Sequence, residues 1–215
     1  MPRSVRAQAP GAIGNIGPGL DILGCALTGL HDVVVAERHE GRGIIVADAG
    51  HPDLPTDPAR HASAIAAAAV ARRAGAGDAP IAIRLAKGLP IAGGQGGSAA
   101  SSVAGAVAAN ALLEAGLDRR ALLECALEGE SAVAGRHADN IAPILMGGVV
   151  LVRSMDPLDV IALPYPDRLR VALAHPQQRL RTADARAVLP SELPRSVALY
   201  QAAQVAAMVA AFATG

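Results

Sequence analysis

Residues 87–102 constrain this chain more than any other stretch: Lys87-Gly88-Leu89-Pro90-Ile91-Ala92-Gly93-Gly94-Gln95-Gly96-Gly97-Ser98-Ala99-Ala100-Ser101-Ser102. Four of the five residues from 93 to 97 are glycine, which frees the backbone for turns that residues with a Cβ resist. Small residues then lead into the apolar run 103–113, which reads as a buried helix. A glycine turn feeding a helix start aims several backbone N–H groups outward at the positive end of the helix dipole, an arrangement that binds phosphate. It is not the common P-loop, because no Lys-Ser/Thr pair follows the last glycine. Turns of this composition also serve plain close packing of helices, so the loop alone leaves both roles open.

Composition removes several classes of function. Acidic and basic residues balance at 19 each, and aromatics make up 1% of the chain. A nucleic-acid surface built from positive charge and stacking rings is therefore excluded. Lys87 is the sole lysine, the remaining positive charge being arginine. Cys25 and Cys125 stand apart without metal-ligand spacing, so neither a disulfide framework nor a zinc site is expected. The first residues run directly into a strand-like segment, and the alanine-rich run 62–71 stops at Arg72-Arg73. No targeting peptide or membrane span is therefore expected, and the cytoplasm is the expected compartment.

Periodicity places strands near 5–9, 32–37, 43–47 and 81–86. A helix over 59–74 is opened by Asp57-Pro58 and closed by Gly75. A second helix covers 98–115, and Gly116-Leu117-Asp118 caps a third over 119–134. A helical turn at 144–145 precedes a strand at 149–153. Met155-Asp156-Pro157 reads as a boundary, dividing the chain into domains 1–154 and 155–215. Beyond it, 160–163 and 169–174 read as strands, 182–188 as a short helix and 197–213 as a long one. This mixed order indicates an α+β fold.

Two further segments add specificity. One is Asn15-Ile16-Gly17-Pro18-Gly19-Leu20-Asp21; the other is His137-Ala138-Asp139-Asn140-Ile141-Ala142-Pro143, followed by Gly147-Gly148. With the glycine loop, and in this order, they resemble the GHMP kinases, within them the homoserine kinase family. The resemblance runs over nearly the whole chain, through Arg181-Thr182-Ala183-Asp184-Ala185-Arg186. It implies two domains, a left-handed βαβ-type N-terminal one that binds ATP and a ferredoxin-like C-terminal one. The family's third glycine-rich motif and a further substrate arginine are not among these residues. The C-terminal domain is therefore expected to be truncated, and the chain to associate with itself and turn over poorly.

The implied reaction is transfer of the ATP γ-phosphoryl group to the hydroxyl of L-homoserine, a step toward threonine. The resemblance assigns the nucleotide to Pro90, Gly93, Gly94, Gln95, Gly96, Gly97, Ser98, Ala99 and Ser101. His61 stands where relatives often carry Asn beside the adenine. Ser98 and Glu130 are implied as Mg²⁺ ligands, in keeping with a hard cation that takes few protein oxygens. Asn15, Asp21, His137, Asp139 and Arg186 match substrate positions. Asp21 and Asp139 would pair with the ammonium or orient the hydroxyl, Arg186 would grip the carboxylate, Thr182 would sit near the γ-phosphate or the hydroxyl, and Asn140 would hold its loop together. The family's Gly-Leu-Gly-Ser-Ser-Ala is here Gly94-Gln95-Gly96-Gly97-Ser98-Ala99, so one phosphate-binding hydroxyl is absent and weaker ATP binding is expected. A mevalonate- or shikimate-type kinase and a catalytically impaired remnant stay open as alternatives. No nucleic-acid or membrane partner is expected, and a homodimer is left open.

Overall fold

A computed structural model describes residues 2–174 and 186–215. Six strands form one sheet: β1 (Ser4–Ile13), β2 (Leu23–Arg38), β3 (Ile44–Asp48), β4 (Ile81–Ala86), β5 (Val149–Met155) and β6 (Leu158–Leu163). The helices are α1 (Ala62–Arg73), α2 (Gly97–Leu113), α3 (Arg119–Val133), α4 (Ile141–Met146) and α5 (Arg195–Thr214). The long strand β2 organises the sheet. One of its edges pairs antiparallel with β1 over most of its length. The other is shared, with β4 taking Val33–Arg38 and β5 taking Leu23–Cys25. β3 runs parallel to β4, the two joined through α1, and β6 closes the opposite side against β5.

Helices α1, α2 and α3 pack together as a layer, with α2 in the middle and against β1 and β2. Alternation in β1 sends Ala7 and Ala9 inward, with Ser4, Arg6 and Gln8 exposed on the other face. β4 repeats the pattern, with Ile81, Ile83 and Leu85 inside and Arg84 outside. α2 is buried almost all round, which its run of Ala, Ser, Gly and Val permits. Backbones approach closely here: a Cβ on Gly105 would lie 2.4 Å from the Ser63 carbonyl oxygen of α1. α3 begins at Asp118, whose carboxylate accepts the Ala121 N–H at 2.8 Å, a cap that stabilises a helix by about 1 kcal/mol.

Several sequence expectations change. The strand expected at 32–37 extends back to Leu23, because Gly24 marks a close approach of Asp139 and not a turn. Asp57 holds the Ala59 N–H at 2.9 Å in a turn ahead of α1, so the helix starts three residues later than expected. Met155-Asp156-Pro157 lies at the tight connection of the β5–β6 hairpin, so β6 joins the same sheet. Residues 169–174 pair with no strand among the described residues. Arg170 donates to the Asp167 and Leu169 carbonyls, which keeps this stretch bonded locally. The expected helix at 182–188 falls mostly outside the described residues; Arg186 and Ala187 sit in a helical turn. α5 is apolar and long enough to cross a membrane by length and composition alone. It lies over the loop after β1, where Gln201 donates to the Pro18 carbonyl and Met208 reaches Gly17.

Candidate active site

A cavity of about 330 Å³ opens between the start of α2, the end of α3, the α4 approach and the loop after β1. Its floor is the glycine loop. Ala92, Gly94 and Gly96 all take positive φ, and Gly96, at φ 63, is the residue from which α2 departs. Among the described residues no side chain caps this N-terminus. The Ala100 N–H already bonds the Gly96 carbonyl at 2.8 Å, leaving the earlier amides of the first turn without intrahelical partners. A phosphate is the natural ligand for such a group of donors.

Two carboxylates face the cavity from other elements. Glu130, on α3, is 6% exposed, and its Oε2 has no hydrogen-bond partner among the described residues. Burial pushes its carboxyl up to about 7; the nearby Asp139 charge adds to this, while Ser98 and Lys87 pull the other way. Asp139, just before α4, is 1% exposed. Its Oδ2 accepts the Asn15 N–H at 3.1 Å, and its buried Oδ1 has no partner among the described residues. Burial raises its carboxyl, reinforced by Asp21 and opposed by His137 and the Asn15 amide. Glycine makes room for it. A Cβ on Gly14 would lie 2.0 Å from Asp139 Oδ2, and one on Gly24 1.7 Å from the Asp139 carbonyl oxygen.

Asn15 and Asp21 both adopt left-handed backbone, φ 56 and 63, which Asn and Asp tolerate better than other residues. The Asn15 side-chain oxygen accepts the Asp21 N–H at 2.8 Å and fixes the loop. Asp21 receives Arg186 through both oxygens, one bond being Nη1 to Oδ2 at 2.9 Å, and His137 Nδ1 lies 3.4 Å from its Oδ1. The Arg186 hydrogen bonds, followed by the His137 charge, hold the Asp21 carboxyl below its ordinary range against partial burial.

The structure thus brings most of the expected residues to one cavity. Asn15, His61, Pro90, Gly93, Gly94, Gly96, Gly97, Ser98, Ser101, Glu130, His137, Asp139 and Arg186 all line it. Asp21, Gln95 and Ala99 are not on its wall. The Gln95 carbonyl instead accepts the Ala12 N–H at 3.1 Å, and Ala99 is fully buried in the core. Thr182 lies outside the described residues. His61 is 2% exposed with both ring nitrogens occupied, Nδ1 2.9 Å from Ser63 Oγ and Nε2 3.4 Å from the Ala49 carbonyl. Burial lowers its pKa and keeps the ring neutral. Asp32 and Lys87, which received no role from the sequence, lie buried against the loop. Their signals were a lone lysine and an aspartate opening an apolar strand run.

Residues 61–148 match the model of the GHMP kinases N-terminal domain, a span that includes the glycine loop, Glu130 and Asp139. A homoserine kinase of Chlorobium phaeovibrioides is 38% identical over 99% of this chain and 70% of its own length. The chain belongs to the homoserine kinase family. The homoserine kinase of Arabidopsis thaliana is 39% identical, covering 99% of this chain and 59% of that protein. A crystal structure of homoserine kinase from Cytophaga hutchinsonii superposes with a TM-score of 0.89 at 36% identity, over 99% of this chain and 68% of that one. The chain therefore spans about 70% of the first of these homoserine kinases. As a GHMP kinase it is an ATP-dependent small-molecule kinase.

Proposed function

We propose that this cavity phosphorylates L-homoserine with ATP, giving O-phospho-L-homoserine and ADP in a reducing compartment such as the cytoplasm, as a step of threonine synthesis. The observation that carries this reading is a pair of buried carboxylate oxygens without partners among the described residues, Glu130 Oε2 and Asp139 Oδ1, on the cavity that the start of α2 enters. One oxygen would serve a metal and the other a hydroxyl. The nucleotide phosphates take the amides of 93–98, where phosphoryl transfer asks for positioning and charge compensation.

Among the described residues no three metal-ligating side chains cluster. That suits Mg²⁺, which takes one or two protein oxygens and fills its sphere with phosphate and water. Glu130 Oε2 has no partner among the described residues and would offer an oxygen to such a cation, and Ser98 lines the same wall. Bound there, the ion would supply charge compensation to the phosphate oxygens.

Homoserine carries an ammonium and a carboxylate, and the Arg186–Asp21 pair offers a partner to each. In this reading the substrate carboxylate replaces Asp21 on the Arg186 fork, and the freed Asp21 takes the ammonium. One ion pair becomes two. The hydroxyl then donates to Asp139 Oδ1 and points its lone pair at the γ-phosphorus. As the new P–O bond forms, the bond to the bridging β–γ oxygen breaks and ADP leaves. Alcohol protons are held tightly, so the proton passes to the Asp139 carboxylate late in the step. Among the described residues of this machinery, all but Arg186 fall within 1–154, and Arg186 falls within 155–215.

The test is ADP release coupled to pyruvate kinase, with L-homoserine or mevalonate as acceptor. Turnover on homoserine, lost on Asp139→Asn, is expected. Mevalonate lacks an ammonium for Asp21, and equal turnover on both alcohols refutes the zwitterion site.

A further inference from the structure

Beneath the glycine loop lies a polar network that the reaction leaves unused. Asp32 is on β2, at the stretch of edge between the segments paired to β4 and to β5, and is fully buried. Its Oδ1 accepts the Gly88 and Leu89 N–H groups, each at 3.1 Å, where the chain leaves β4 for the loop. Its Oδ2 accepts the Ser101 hydroxyl at 2.7 Å and the Lys87 ammonium. The carboxylate is thus saturated with four donors.

Lys87 is equally committed. Its side chain is 7% exposed and gives its three hydrogens to Asp32, to the Gly97 carbonyl at 2.8 Å and to Ser101 Oγ at 3.3 Å. The one Ser101 hydrogen goes to Asp32, which leaves the hydroxyl oxygen free to accept from Lys87. No N–H of the lysine remains for a phosphate, in contrast to the lysine of a P-loop. Fit is tight as well, since a Cβ on Gly97 would lie 3.0 Å from Lys87 Nζ.

Gly97 opens α2, and its peptide plane sets the direction of the first-turn amides. We propose that Lys87, Asp32 and Ser101 are positioning residues for the nucleotide: Lys87 and Ser101 line the cavity but spend their hydrogens inside the network, and by gripping the Gly97 carbonyl and tying the loop to β2 and β4 the three aim the loop amides at the phosphates. A buried ion pair gives little net stability over an apolar pair of similar volume. A role in aiming the amides accounts for keeping it here. The inference rests on the reading of this cavity as a nucleotide site.

The test measures Mg²⁺–ATP and L-homoserine binding by calorimetry on the native chain and on the double variant Asp32→Asn with Lys87→Met. Removing both charges leaves no unpaired ion, and Asn keeps an oxygen for the Gly88 and Leu89 amides. The ATP Kd is expected to rise by about tenfold or more, while the homoserine Kd stays within about twofold. In turnover the loss falls on KM for ATP, with kcat within about threefold. A folded double variant with native ATP affinity overturns the proposal. If the double variant does not fold, Asp32→Asn alone decides, because Asp32 is not on the cavity wall: a rise of about threefold or more in ATP Kd supports the network, and an unchanged Kd sinks it. A native chain that binds no ATP overturns the nucleotide reading and this inference together, whereas native binding with indifferent variants overturns this inference alone.

Discussion

Replacing Glu130 with Gln should make the protein more stable at alkaline pH while removing its turnover. The carboxyl has an ordinary value of 4.5 and is raised to about 7 by burial on α3. Each pKa unit corresponds to about 1.4 kcal/mol, so the gap amounts to about 3 kcal/mol. Because the folded pKa lies above the unfolded one, the folded protein holds this proton more tightly. The resulting stability is fully present below pH 4.5, drains as pH rises to about 7, and is gone above. At pH 5 about 1 kcal/mol has been lost, and at pH 8 about 3. Gln cannot ionise, so its melting temperature escapes this drain, and any fixed cost of burying its amide cancels between the two pH values. The advantage of Glu130→Gln over native should therefore grow by about 2 kcal/mol from pH 5 to pH 8, about 4–8 °C for a chain of this size. Differential scanning fluorimetry without nucleotide measures it. Adding Mg²⁺–ATP should reverse the order, since only the native carboxylate gains a cation. Turnover should fall by about a hundredfold or more. Parallel melting profiles for the two proteins across pH 5–8 would refute the buried-carboxylate reasoning.

Three other outcomes are expected. Arg186→Met should raise KM for L-homoserine by about ten- to a hundredfold, the loss of charge-assisted hydrogen bonds, with ATP binding little changed in calorimetry. Gly24→Ala drives a methyl into the Asp139 carbonyl, and since no rotamer relieves a backbone clash it should lower stability in urea titration by about 3 kcal/mol or more. On α5 and its approach, Leu193, Leu199 and Tyr200 are 57%, 61% and 67% exposed, so this 215-residue chain should self-associate. Light scattering should show Leu199→Glu with Tyr200→Glu shifting it toward monomer, and a native chain already monomeric at 100 μM (about the regime where weak contacts show) contradicts that.

Strong periodicity made most elements legible in the sequence. β4 places a large apolar residue at every second position, and the alanine-rich α1 and small-residue α2 announce themselves by composition. The first half of β2 was not legible, since its glycines interrupt any strand pattern, and Gly24 is a niche for a backbone 115 positions away. The site residues were reached through the resemblance carried by the segments around Asn15, Asp139 and the glycine loop. Asp32 and Lys87 were missed for a different reason. They are separated by 55 positions, and only the pairing of β2 with β4 brings a strand aspartate under a loop lysine.

The niches at Gly14 and Gly24 also bear on the order in which this protein matures. Asp139 enters a slot made by the loop after β1 and the start of β2, and its bond to Asn15 spans 124 residues. Contacts of such separation form late, because the chain between them must first be closed. A refolding molecule should therefore regain its helices before it gains a competent Asp139. Recovery of phosphoryl transfer should lag recovery of the far-ultraviolet signal in stopped-flow refolding, and coincident recovery would show that the slot fills as early as the helices form.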